Sequence, residues 1–293
     1  MIDLACSLTI LAIFAAAGAA YGVHVTRAGA ERYARVDKAG SSALLGKGAM
    51  EAGYWSLQPV GRALIALGLT ANGVTLLSLG FGLTAAVALS LGHFGIGAAL
   101  TAVATLGDAL DGIVARQTGT ASNAGEVFDA AVDRYQEFFF LGGLAVYFRT
   151  DAVALVLTLL AVVGSFMVSY GTAKAEALGV ESPRGAMRRV ERAVYLDAGV
   201  VFAPIAGALV TRYGLAAWIT HLPILLALAL VGGVGNVSAV RRLLAVARAV
   251  AVRDAASRQP PPPAPFTMES LPPSPGSSEP DLSDDAVRDG VVP

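Results

Sequence analysis

Charge is scarce in this chain. Of 293 residues only 15% are Asp, Glu, Lys or Arg, and 55% are hydrophobic; a soluble domain carries about 25% charge. Too few polar side chains remain to clothe a surface in water. That excludes a soluble globular protein and leaves most of the chain to face lipid or other helices. Cysteine is nearly absent as well: Cys6 alone excludes an intramolecular disulfide framework and a cysteine zinc site. His24, His93 and His221 stand far apart in sequence and suggest no histidine metal cluster. A net charge of -1 offers no electrostatic footprint for nucleic acid, and no such partner is expected.

What is present is long apolar runs. A membrane helix needs about 20 apolar residues, since it climbs about 1.5 Å per residue through about 30 Å of hydrocarbon. Seven stretches qualify: Leu4–Val23, Ala71–Leu91, Ile96–Val114, Val127–Phe148, Ala152–Ala173, Ala193–Val210 and Leu222–Val240. The expected fold is an all-α polytopic membrane bundle. The first stretch opens Met1-Ile2-Asp3 without a basic leader, so it reads as a retained helix (residues 1–23) rather than a cleaved signal. Orientation follows from the basic residues. With the loops 116–126 and 174–192 in the cytoplasm, only Arg149 and Arg212 of 21 Lys and Arg fall outside.

Two segments differ from the spans. Residues 24–70 mix charge with Tyr54, Trp55, Leu57, Val60, Leu64 and Leu67, the pattern of an amphipathic helix lying in the interface. Residues 254–293 turn to proline, serine and acids, including Pro260-Pro261-Pro262-Pro263, a composition expected to stay disordered.

The few acids near the spans are the informative ones, because ionisable groups at membrane depth are functional by default. Asp108, Asp111, Gly112 and Ala115 share one face of the third stretch. Gly125, Asp129 and Asp133 share one face at the start of the fourth. An antiparallel hairpin can bring both faces together. Four carboxylates so placed repel one another, and hard divalent cations relieve that repulsion through oxygen-only ligation. Arg116 adds a forked cation suited to phosphate. Acids of this kind also line cation or proton transporters, so a transporter stands as the alternative from another class.

The run Asp108-x2-Asp111-Gly112-x2-Ala115-Arg116-x8-Gly125-x3-Asp129-x3-Asp133 resembles, without a gap, the signature of the CDP-alcohol phosphotransferases, also called CDP-alcohol phosphatidyltransferases. The likeness extends over roughly residues 55–245 and includes Thr70-Ala71-Asn72-Gly73-Val74-Thr75, with Ala71 where the family usually has proline. It implies a six-helix core over 71–245, an interfacial helix before it, and a homodimer; the N-terminal transmembrane helix (residues 1–23) is then an addition outside that core. It also implies transfer of a phosphatidyl group from CDP-diacylglycerol to an alcohol acceptor with release of CMP, as a step of phospholipid biosynthesis. By the family pattern Asp108, Asp111, Asp129 and Asp133 hold two divalent cations, magnesium or manganese. Asp133 doubles as the catalytic base, and Gly112, Ala115, Arg116 and Gly125 line the CDP pocket. The implied setting is a bacterial inner membrane, with the site facing the cytoplasm.

The acceptor is read from the basic residues near that site. Arg192, Arg242 and Lys174 form the expected acceptor-binding set, and positive charge there suits an acceptor carrying its own phosphate. Arg189-x-Glu191-Arg192 is similar to the loop of phosphatidylinositol-phosphate synthases, although Thr172 stands where they usually have lysine. An inositol phosphate or another phosphorylated polyol is the expected acceptor. Glycerol phosphate, serine and inositol are the alternatives.

Overall fold

A computed structural model describes residues 1–29, 33, 46–181 and 185–257 of the protein. Every regular element among them is helical. In chain order these are α1 (Ile2–Ala28), α2 (Lys47–Ala66), α3 (Ala71–Ser90), α4 (Phe94–Gln117), α5 (Asn123–Tyr147), α6 (Ala152–Ala177), α7 (Arg189–Tyr213), the 3-10 turn η1 (Ala217–His221) and α8 (Leu222–Ser257). The chain divides into two compact units, Met1–Ala251 and Val252–Pro293, and the second is described only through Ser257.

All seven apolar stretches are helical. Six of the helical segments are long and apolar enough to cross a membrane: Ile2–Ala28, Ala71–Ser90, Phe94–Gln117, Ala152–Ala177, Arg189–Tyr213 and Ala217–Ser257. The protein is thus an all-α integral membrane bundle. α5 matches the fourth expected span but is less apolar, because Glu126, Asp129, Asp133, Arg134 and Glu137 crowd its first fifteen residues.

Several helices outrun their apolar stretches. α5 starts at Asn123 rather than Val127, α7 at Arg189 rather than Ala193, and α8 continues past Val240 to Ser257. Hydropathy marks only the part that meets hydrocarbon, whereas the backbone ladder continues while its bonds are satisfied. Asp254, the expected first residue of the disordered tail, is accordingly helical. The tail from 258 onward lies outside the described residues, as do 30–32 and 34–45 of the expected interfacial segment. Of the described part of that segment, residues 24–28 belong to α1 and Lys47–Ala66 form α2.

Local chemistry sets the helix starts. Thr70 accepts from Gly73 N at 3.1 Å to cap α3, and Ser122 accepts from Gly125 N at 3.1 Å to cap α5. Asp151 caps α6 by accepting from Val153 N and Ala154 N, each at 3.1 Å. Between α4 and α5 the chain reverses at Gly119, whose φ of +69° suits glycine.

α3 packs against both α4 and α5. In lipid such contacts rest on close backbone approach rather than hydrophobic drive. A Cβ on Gly107 would lie 2.5 Å from the Ser78 Cβ. One on Gly143 would lie 2.6 Å from the Ala86 carbonyl oxygen. The buried apolar cluster of Leu89, Phe94, Ala98, Phe140, Leu141 and Leu144 takes the first half of α4 and the second half of α5. The acids therefore gather at the opposite end, where α4 finishes and α5 begins.

Candidate active site

At that end one carboxylate oxygen from each of Asp108, Asp111 and Asp129 lies within 4.8 Å of the other two. Asp111 is buried, and Thr75 Oγ1 donates to its Oδ2 at 2.6 Å, tying the α4 acid to α3. Asp133 is buried and forms an ion pair with Arg189. Arg189 Nη1 also donates to Asp108 Oδ2 at 2.8 Å. One guanidinium from α7 thus spans the acids of α4 and α5.

The three-acid cluster has the donor set of a divalent-cation site. Its ligating atoms are all carboxylate oxygens, which hard cations prefer. Asp108 Oδ1 and Asp129 Oδ1 are buried with no hydrogen bond to either. Such oxygens are costly unless a cation or a donor meets them.

The residues expected around the nucleotide lie nearby. Gly112 and Ala115 are half-buried on α4, while Arg116 is exposed. Arg116 Nη2 donates to Tyr54 OH at 2.7 Å, with its guanidinium carbon 5.8 Å from that ring's centre. Gly125 sits in the first turn of α5, its N–H taken by Ser122.

The three expected acceptor residues fare differently. Arg192 is 1% exposed and engaged by the protein itself: Nε and Nη2 donate to Glu137 at 2.7 and 3.0 Å, and Nη1 donates to Met187 O at 2.8 Å. Arg242 is buried and donates to Thr172 Oγ1, with its Nε unpartnered; Arg188 and Arg192 lie close enough to repel it. Lys174 is exposed on α6.

Arg189, part of the sequence motif but not of the expected acceptor set, is the arginine that reaches the acids. Tyr54 and Asp197 are likewise additions. Nothing in residue spacing foretells these contacts, since each is made by helix packing across long sequence distances. Thr75 had a signal in the Thr70–Thr75 motif, though not its partner.

A cavity of about 380 Å³ opens beside the acids. Asp108, Asp133, Gln136 and Arg189 line its polar part, and Leu57, Phe140, Leu196 and Phe14 line its apolar part. Asp197 also faces it, with Oδ1 buried and unpartnered.

Comparison with known proteins matches this arrangement to a family. Residues 68–234 match the description CDP-alcohol phosphatidyltransferase. A phosphatidylinositol phosphate synthase of Mycobacterium marinum is 34% identical over 174 residues, covering 57% of this chain and 69% of that protein. The Mycobacterium tuberculosis phosphatidylinositol phosphate synthase crystallised with CDP-DAG bound superposes with a TM-score of 0.55 at 27% identity, covering 64% of this chain and 92% of that one. Its crystal structure with manganese and citrate gives the same score and identity, with 64% and 88% covered. The chain belongs to the CDP-alcohol phosphatidyltransferase family and is a transferase of substituted phosphate groups.

Proposed function

We propose that the protein transfers the phosphatidyl group of CDP-diacylglycerol to an inositol phosphate, with release of CMP. One observation carries the reading: Asp108 of the three-carboxylate cluster and the neighbouring Asp133 line a mostly apolar cavity, so that phosphate chemistry and lipid accommodation adjoin. The solved relative with CDP-DAG bound supports the donor, and the phosphatidylinositol phosphate synthase relatives support the acceptor. Membership of a transferase family removes the transporter alternative.

In this reading residues 71–245 are the catalytic core and α1 is an addition to it. Asp108, Asp111 and Asp129 hold two divalent cations, magnesium or manganese, with Asp133 sharing one of them. When bound, the cations neutralise phosphate charge and lower the barrier to displacement at phosphorus. Gly112, Ala115, Arg116 and Gly125 border the cytidine diphosphate. The acceptor hydroxyl oxygen bonds to the phosphatidyl phosphorus while the bond from that phosphorus to the CMP oxygen breaks. Asp133 takes the hydroxyl proton, and Arg189 holds its carboxylate in place. Arg242 and Lys174, with Arg188 nearby, attract the acceptor's phosphate. Arg192 shapes that pocket from its pairing with Glu137. The site faces the cytoplasm of a bacterial inner membrane.

The test is CMP release by purified protein in detergent with CDP-diacylglycerol and magnesium or manganese. The acceptor panel comprises inositol phosphate, glycerol phosphate, serine and inositol. Turnover is expected with inositol phosphate and lost in Asp133→Asn. Consumption of serine or glycerol phosphate alone overturns the acceptor, and a fully active Asp133→Asn overturns the base.

A further inference from the structure

α1 lies outside residues 68–234, and nothing in the chemistry above requires it. A helix that merely anchored the protein would need no specific seat. α1 has one at each end.

At its start, Asp3 Oδ1 accepts from Gly95 N at 2.9 Å and Ile96 N at 3.2 Å, and Oδ2 lies 3.3 Å from His93 Nδ1. His93, the N-cap of α4, makes no side-chain cap of its own. An acid from α1 therefore satisfies the free N–H groups of another helix, where the helix dipole also favours it. A Cβ on Gly95 would lie 1.9 Å from the Asp3 carbonyl oxygen, so the approach is possible only at glycine. Toward its end, Tyr21 OH lies 3.4 Å from Glu51 Oε2 of α2, and the His24 and Trp55 rings are centred 4.9 Å apart. Ser7 and Ile10 are buried between these seats. From Asp3 to Tyr21 a helix rises about 27 Å, close to the hydrocarbon thickness of about 30 Å.

Between the two seats, α1 meets the cavity. Phe14 lines it together with Asp108, Asp133 and Arg189, so one continuous space joins the acids to α1. Phe14 is still 53% exposed, which puts it at the rim rather than in the packed core. At about 380 Å³ the cavity lies near the lower end of the 300–1,000 Å³ typical of ligand sites. It suits one hydrocarbon chain rather than a whole diacyl lipid.

We propose that α1 forms a wall of the donor's lipid-chain cavity, seated by Asp3 on α4, and that Phe14 sets the chain length the cavity accepts. The occupant is one acyl chain of the CDP-linked donor, because the cavity begins at the acids that would receive its phosphates. This rests on the reading that the donor is a CDP-linked diacyl lipid.

The direct test uses the full-length protein and CDP-diacylglycerol bearing a diazirine at an acyl-chain end. Phosphatidylcholine with the same chain reports bulk lipid. Labelling of α1 near Phe14 is expected and competed by unlabelled CDP-diacylglycerol, whereas any label from the phosphatidylcholine probe is not competed. Asp3→Ala should lose that label. In turnover, Phe14→Trp should lower kcat/KM for dipalmitoyl relative to dioctanoyl donor by about tenfold, the scale of misfit in an apolar pocket. Phe14→Ala should shift the preference the other way. Competable label confined to other helices overturns the proposal, as does an unchanged chain-length profile in active Phe14→Trp. If no CDP-lipid yields CMP, the transferase reading falls, while the competable label still decides the cavity.

Discussion

Asp197 faces the cavity from α7 with Oδ1 buried and unpartnered, about two helical turns from Arg189. An unsatisfied buried polar group costs about 1–3 kcal/mol, and an apolar group of similar shape removes that cost. Asp197→Leu should therefore raise the unfolding midpoint in detergent, by the equivalent of about 1–3 kcal/mol. A lower midpoint would mean that the carboxyl has a partner worth keeping. Arg192 poses the opposite case. Its guanidinium is buried and matched to Glu137, and removing one partner of such a pair costs about 3–5 kcal/mol. Arg192→Ala should lose stability on that scale, and the double variant with Glu137→Leu should recover part of it. If Arg192 instead touched the acceptor, Arg192→Ala would raise the KM for inositol phosphate and leave the unfolding midpoint unmoved.

At the scale of elements, α3 fixes where the acids of α4 and α5 sit. Gly107 immediately precedes Asp108 and packs on Ser78. Gly107→Ala should push α4 away from α3, destabilise by about 1–3 kcal/mol as overpacking does, and lower kcat by displacing Asp108. Gly80 on α3 has open space around it. Gly80→Ala should be neutral or gain about 0.5–1 kcal/mol from reduced backbone entropy, with activity kept. Thermal unfolding and CMP release on the two variants separate packing from propensity. The same elements explain how much could be read beforehand. The α4–α5 hairpin was legible because its acids recur at helical spacing within a few turns of one another. The arrival of Arg189 between them was not, since it depends on how α7 packs against α4. Asp3 looked like a reason to reject a signal peptide, and its role as a cap for α4 appears only once α1 is seated.

For the molecule as a whole, α5 decides the topology. The other spans are apolar, but α5 carries its charges in its first fifteen residues, where Asp129, Asp133 and Glu137 find partners in the bundle or form the cluster. Charges so matched are tolerated at membrane depth, so we propose that α5 crosses, with the turns at its two ends facing opposite sides. In that topology Arg149 and Arg212 would be the only basic residues among the described ones on the outer side. Each basic residue near an anionic inner leaflet contributes about 1 kcal/mol, and this asymmetry supports the proposal that the acid end faces inward. Thr120 and Thr150 are exposed in the turns before and after α5. With Cys6→Ser as background, a membrane-impermeant maleimide on intact cells should label Thr150→Cys but spare Thr120→Cys until the cells are permeabilised. The reverse pattern would put the acids outside and overturn the proposed orientation. Equal labelling of both in intact cells would mean that α5 does not cross, and the acids' partners in α7 would then have to be reached from an interfacial helix. The contact of Arg189 with both Asp108 and Asp133 argues for the crossing, because it joins the end of α4, the start of α5 and the start of α7 at one level.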